Sequence, residues 1–594
     1  MSKPIWVASA IALWLVPAAK YAAAQSKPAQ ADEPARLVFP SLGRPAFLRP
    51  GETLRIVAQI PSAAPDGELS VELRDHAGRS RKLAAAGVQA EQLAAGNTLS
   101  VRIPPNLPHG TYDLLIHTPN HTVSQPHAVC VGRFDGKLRV VHLSNLNLGG
   151  LTTPLNDDQL RQLVDEVNLV SPSVIIATGD YLDSGCRDVP HGWRMLAKFF
   201  SSFDAPVILA AGDQDSMEQY SRYFAASAVG VVPIGAHRVL VLYDHPGALI
   251  ENDPDQIQWI QRTLLRPGFD GVTVVASHNQ RPGLLEHWRA HGELARMVHA
   301  ARLGVWLSGG HRDWDGLEYA DLIEAASPMI YARTHQASPA IQGGADGRGH
   351  YRILDIDGDR AIQPGGGRIP PSQRLGSLHA TLDGPNDGSQ TQLKISAVNA
   401  LPYRVNDLSQ FVRLRKSGEE KPWCHGGELV QVDDRGEMWE IRVRFDLPDR
   451  GAAHIVVGVA AEPIEAALDV SFSAPAELNF TRKWTDQALA FQQAQAETVD
   501  VVVRNIAPVA ARFCPIIRLD GGALAFRPLD GDARLLPGGR VLLDPGGVLR
   551  LRVDLSAVRV RPGNRELQFY ADRQGAVTPV CKPLRIRITG KRND

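Results

Sequence analysis

This sequence is short of the features that most quickly assign a chain to a class. Its five cysteines, Cys130, Cys186, Cys424, Cys514 and Cys581, include no C-x-x-C spacing, which excludes a zinc ribbon and a thioredoxin-like redox site. Net charge is nearly absent, with 63 Lys+Arg against 64 Asp+Glu, so no long-range field draws the whole chain to nucleic acid or anionic lipid. No Gly-rich phosphate loop, G-x-S-x-G elbow or H-E-x-x-H occurs, which argues against nucleotide-loop, serine-hydrolase and zincin chemistries. Beyond the first residues no uninterrupted apolar run is long enough to span a bilayer, which needs about 20 residues. A length of 594 residues is too much for one core and predicts several domains. Glycine and proline are plentiful, 53 and 42, and that excess predicts many turns and many strands.

Lys3, the apolar run Ile5–Ala19 and Tyr21-Ala-Ala-Ala24 read as a secretory signal peptide over 1–24. The mature chain is expected to carry no membrane span and to be secreted or periplasmic. Arginine far outnumbers lysine, which points to a GC-rich bacterial genome and hence to the periplasm. An oxidising compartment permits disulfides; Cys514 and Cys581 fall in one predicted sandwich and could bridge it.

Residues 25–35 read as a linker. Over 36–133 short alternating runs such as Leu54–Ile60 and Thr111–Ile116 are split by turn residues, the pattern of a small antiparallel sandwich of immunoglobulin-like type. From Leu138 apolar strands alternate with amphipathic segments of helical length: Leu138–Leu143, Val174–Thr178, Val207–Ala211, Gly271–Ser277 and Leu303–Ser308 are strands, and Asp157–Leu169, His191–Phe203, Ser216–Ala225, Asp253–Leu265 and Leu294–Arg302 are helices. This is the grammar of βαβ units. An α/β domain is thus expected over 134–362. A Gly/Pro linker follows at 363–375, then two further all-β sandwiches at 376–473 and 474–594.

Ligands of open α/β sheets bind beyond the carboxyl ends of the strands, and five strands here deliver a polar residue at that place. Asn145 and Asn147 follow the first, Asp180 the second, Asp213 the third, His278 the fourth, and His311 with Asp313 the fifth. One such residue is ordinarily a turn or helix cap. Five converging on a rim are a candidate metal site.

These motifs resemble those of the calcineurin-like metallophosphoesterases. The first family motif, D-x-H, has the right surroundings in His142-Leu-Ser-Asn145-Leu-Asn147-Leu-Gly149 but asparagine at both ligand positions. The second is intact as Gly179-Asp180-Tyr181-Leu182-Asp183, the third appears as Gly212-Asp213-Gln214-Asp215, the fourth as Ser277-His278, and the fifth as Gly310-His311-Arg312-Asp313. The resemblance implies two sandwiched sheets flanked by helices and one or two divalent cations. Carried over by position, Asp180, Asp213, His278 and His311 would hold one cation. Asn145, Asn147, Asp180 and Asp313 would make a weaker second set, because amide oxygens are poor donors. Asp183 and Asp215 would support these ligands. Arg187, Arg281 and Arg312 lie near the motif loops and could contact phosphate oxygens or be merely solvated.

Gln214 stands where the family carries a histidine beside the phosphate, and a carboxamide cannot transfer a proton near neutral pH. Two functions are therefore expected from different classes. One is a metal-dependent hydrolase of a small phosphate ester, with Asp180 and Gln214 at the reacting centre. The other is a pseudoenzyme whose domains bind an extracellular glycan or protein.

Overall fold

The computed structural model describes residues 36–592 with breaks, the longest of which are 310–329, 334–349 and 363–372. The segment read as a signal peptide lies outside the described residues, as do His311, Asp313, Arg187, Arg281 and Arg312 and most of the predicted helix Leu294–Arg302. The chain is rich in β-sheet, with few helices and many separate sheets. It divides into two compact units, Met1–Gly376 and Ser377–Asp594. Among the described residues no helix is long and apolar enough to cross a membrane.

The first unit begins as a two-sheet sandwich. One sheet runs in the order Arg36–Phe39, Thr53–Gln59, Gly96–Arg102, Glu91–Leu93, and the other in the order Ala46–Leu48, Thr122–Val131, Gly110–His117, Ser70–Asp75, Ser80–Leu83. Period-two alternation turns Leu54 and Ile56 of one sheet and Leu73, Leu114 and Ile116 of the other into a common core.

The α/β layer that follows has strands β1 (Leu138–Ser144), β2 (Val174–Thr178), β3 (Val207–Ala210), β4 (Gly230–Ile234), β5 (His237–Val241), β6 (Thr273–Ser277), β7 (Leu303–Ser308), β8 (Ile330–Arg333), β9 (His350–Asp357) and β10 (Arg360–Ile362). Its described helices are α1 (Asp157–Val170), α2 (Val189–Phe200), α3 (Met217–Tyr223) and α4 (Pro254–Leu264). One sheet has the order β3-β2-β1-β9-β10, with β1, β2 and β3 parallel and β9 antiparallel to β1. The other has the order β4-β5-β6-β7-β8, parallel except for β4. Every residue of β1, β2 and β6 is buried, as expected of parallel strands covered on both faces. The sheets face one another through Val140, Val174, Ile176 and Ile208 on one side and Val239, Val274, Val305 and Leu307 on the other. Helix starts follow local chemistry: Asp188 and Asp253 cap α2 and α4, each ahead of a proline in the first turn. That is why α2 opens at Val189, two residues before the predicted start.

Short pairing continues past β10, where Gln373–Arg374 joins His350–Tyr351 before the unit closes at Gly376. The second unit contains further β-sheets. Val405–Arg415, Met438–Leu447 and Glu428–Asp434 form one, and Leu378–Leu382, Gln392–Asn399, Ala452–Gly458 and Trp423–His425 another. A separate core gathers Val501, Phe513, Val541, Leu551 and Phe569. The disulfide considered between Cys514 and Cys581 is not formed. Cys514 alternates with buried Phe513 and Pro515 and so faces away from the core, whereas Cys581 packs against it.

Candidate metal centre

The centre forms where three strand ends from two sheets meet. β2 ends at Thr178, and the next two residues take left-handed backbone, Gly179 at φ 59° and Asp180 at φ 54°. Asn145 and Asn147, just past β1, do the same at φ 50° and 46°. Asparagine, aspartate and glycine are the residues that adopt this conformation most cheaply. The kinked loops stay laced together: Asn145 N–H donates to Gly179 O at 3.1 Å and Asn147 N–H to Asp180 O at 2.9 Å. The parallel ladder thus runs past the formal strand ends and presents Asp180 at the rim.

His278, from the other sheet, faces Asp180 and Asp213. Its Nε2 lies 3.2 Å from Asp180 Oδ2 and 3.4 Å from Asp213 Oδ1. One ligand atom from each residue falls within 4.8 Å of the others, a group able to hold a metal ion. His278 Nδ1 pairs with Thr178 O at 2.9 Å, which leaves Nε2 to the carboxylates. Burial pushes this imidazole down, but the hydrogen bond and charge of Asp180, the Thr178 carbonyl and the charge of Asp215 outweigh it and raise its pKa to about 9.

Asp215 holds the loops from beneath. Its carboxylate accepts backbone N–H bonds from Gly212 at 2.7 Å, Tyr181 at 3.0 Å and Asp180 at 3.1 Å. Burial raises its pKa to about 6 against these bonds. Three glycines make room: a Cβ on Gly212 would lie 2.5 Å from Asp180 N, one on Gly179 2.5 Å from Gly212 Cα, and one on Gly309 1.9 Å from Ser144 Oγ.

Gln214 donates from Nε2 to Asp180 Oδ2 at 3.1 Å. Asp180 Oδ1, buried, has no hydrogen-bond donor among the described residues. A buried carboxylate oxygen left so is costly, and two carboxylates with one imidazole are a suitable donor set for a divalent cation. The residues present therefore fit such an ion. The two asparagines are differently placed: Asn145 Nδ2 turns to Ser144 Oγ at 3.2 Å and Asn147 Nδ2 to Asn145 O at 3.4 Å. Asp183 folds back on its own turn, accepting from Gly185 N at 2.7 Å.

Sequence reasoning missed the polar layer below the centre. His142 Nε2 lies 2.9 Å from Thr178 Oγ1, Thr178 Oγ1 bonds Ser144 Oγ at 3.0 Å, and Ser144 Oγ bonds Thr178 O. Burial, with the charge of Arg352, lowers the His142 pKa to about 3. A histidine and two hydroxyls inside apolar strands are the one sequence signal that could have marked this layer.

No family model and no curated protein matches the chain. Among solved structures it is similar to a purple acid phosphatase from yellow lupin (Lupinus luteus) seeds, at 11% identity over 58% of this chain and 69% of that one, with a TM-score of 0.30. It is also similar to a beta-glucosidase from Listeria innocua, at 12% identity over 54% of this chain and 40% of that one, TM-score 0.15, and to an amylomaltase from Corynebacterium glutamicum, at 11% identity over 47% of each chain, TM-score 0.13. Likenesses this slight carry no weight, and the centre stands on its own geometry.

Proposed function

We propose that this chain is an exported metallophosphoesterase-fold protein, a metal-dependent hydrolase of a small phosphate ester that relies on one strong cation site. The observation that carries the reading is the meeting of Asp180, Asp213 and His278 from separate sheets. His311 would complete the ligand set by its place in the motif. A divalent cation bound there would polarise a phosphoryl oxygen and supply a water-derived nucleophile. Asp180 and Asp213 provide the negative charge that attracts the cation, His278 is aimed by the Thr178 carbonyl, and Asp215 holds the Asp180 and Gly212 backbones in register. Gln214 steadies Asp180 and moves no proton, so turnover is expected to fall about 10²–10⁴-fold below a site with a general acid.

The Gln214–Asp180 bond also favours a second reading, a pseudoenzyme that holds at most one structural ion while the flanking immunoglobulin-like sandwiches bind a glycan or protein. Metal analysis of the purified chain, with phosphomonoester and phosphodiester assays in Mn, Fe, Ni and Zn, separates the two. The hydrolase reading expects a retained cation and turnover lost at least about 100-fold in Asp180→Ala. No turnover, with or without a retained cation, overturns the hydrolase and leaves the pseudoenzyme, whereas metal-stimulated turnover overturns the pseudoenzyme.

A further inference from the structure

The ligands Asp213 and His278 come from different sheets, so the separation of those sheets at their ligand-bearing end sets the geometry of the centre. One side chain from outside the α/β layer spans that separation. Arg44, 8% exposed, lies in the turn Ser41–Arg44 of the N-terminal sandwich. Its Nη1 donates to Gly43 O at 2.8 Å and to Leu209 O, and its Nη2 donates to Ala228 O at 3.0 Å. Leu209 is in β3, the edge of the first sheet, four residues before Asp213. Ala228 leads into β4, the edge of the second.

Register places both acceptors at the same end of the layer. Leu209 is level with Ala177 and Leu143, one residue short of the ends of β2 and β1. Gly230 pairs with Val241, and Val241 with Ala276, two residues before His278. The turn also covers the open edge of β3, with Leu209 N–H donating to Gly43 O at 3.2 Å and Gly43 N–H to Phe224 O at 3.1 Å. Tyr220 Oη shares the Leu209 carbonyl at 2.6 Å, which anchors the acceptor. A guanidinium suits this place because its planar fork can hold carbonyls of separate segments at fixed spacing, which an ammonium cannot.

We propose that Arg44 is a positioning residue for the cation centre, a clamp on the β3 and β4 edges by which the N-terminal sandwich fixes the spacing of the two sheets that carry Asp213 and His278. The inference rests on the cation-site reading. Its test uses the full chain and Arg44→Met, with Arg44→Lys as the conservative variant. Co²⁺ titration followed by its visible spectrum measures the centre, and amide hydrogen exchange measures the peptides spanning 207–216 and 228–234. The expected result is about tenfold weaker Co²⁺ binding with an altered spectrum in Arg44→Met, faster exchange in both peptides, and partial recovery in Arg44→Lys. A variant that melts lower but binds Co²⁺ with the parent affinity and spectrum, and exchanges at the parent rate, overturns the clamp and leaves a structural arginine. If the parent itself binds no Co²⁺, the cation-site reading fails alone and the exchange rates still decide whether Arg44 clamps the edges. If Arg44→Met does not fold, Arg44→Lys is judged by the same criteria.

Discussion

Gly212 shows how little slack the centre has. A Cβ there would press on Asp180 N at 2.5 Å and Asp180 Oδ1 at 2.6 Å, and the first of these is backbone held by its bond to Asp215 and unable to yield cheaply. Gly212→Ala is expected to destabilise the first unit by about 1–3 kcal/mol and to weaken cation binding, read by thermal unfolding and metal titration on the same sample. Unchanged binding would mean that the Asp180 loop can move without cost. The asparagines make the complementary point. Asn145 and Asn147 occupy left-handed backbone, a local reason for those residue types that needs no ligand. Motif spacing alone could not tell that role from a ligand role, since both ask for a short polar side chain after a strand.

Within the α/β layer, β1 and β9 are locked by a buried ion pair as well as by their ladder. Arg139 Nε donates to Asp355 Oδ1 at 2.9 Å, with Lys137 Nζ 2.9 Å from Oδ2. Burial alone would raise the Asp355 pKa, but the hydrogen bonds and charges of Arg139 and Lys137 hold it below the ordinary carboxylate value. A lowered folded-state pKa stabilises the fold above the unfolded carboxylate value of about 3.9, and that stability is lost as pH falls through the folded value. Asp355→Asn is therefore expected to cost about 3 kcal/mol near pH 7 and progressively less as pH falls below about 4, because the parent's advantage drains away as pH drops toward the lowered folded-state value of its own carboxyl. Urea unfolding at pH 7 and pH 3 measures the difference. An equal loss at both would assign the effect to packing.

Over the whole molecule, the N-terminal sandwich and the α/β layer share a core. Phe47 and Cys130 of the sandwich belong to the same buried cluster as Val140, Ile208 and Val274, and Phe47 meets Phe134 edge to face with centroids 5.4 Å apart. Burying one such side chain is worth about 1.5–3 kcal/mol. A fragment starting at Leu138 and ending at Gly376 should accordingly be insoluble or poorly folded, while Ser377–Asp594, with a separate core, should fold alone. Far-UV circular dichroism and cooperative unfolding of the two fragments check this, and a well-folded 138–376 would show that the shared contacts are dispensable.

Strand alternation, βαβ grammar and the residues just past each strand are properties of neighbours along the chain, so β2 and β7 could be read to the residue and Asp180, Asp213 and His278 singled out before any fold was known. Their convergence was not written locally, because it depends on the facing of two sheets whose contributions lie up to 98 positions apart. Arg44 lay further beyond such reading. An arginine in a turn carries no mark of purpose until folding sets Leu209 and Ala228 within reach of its fork.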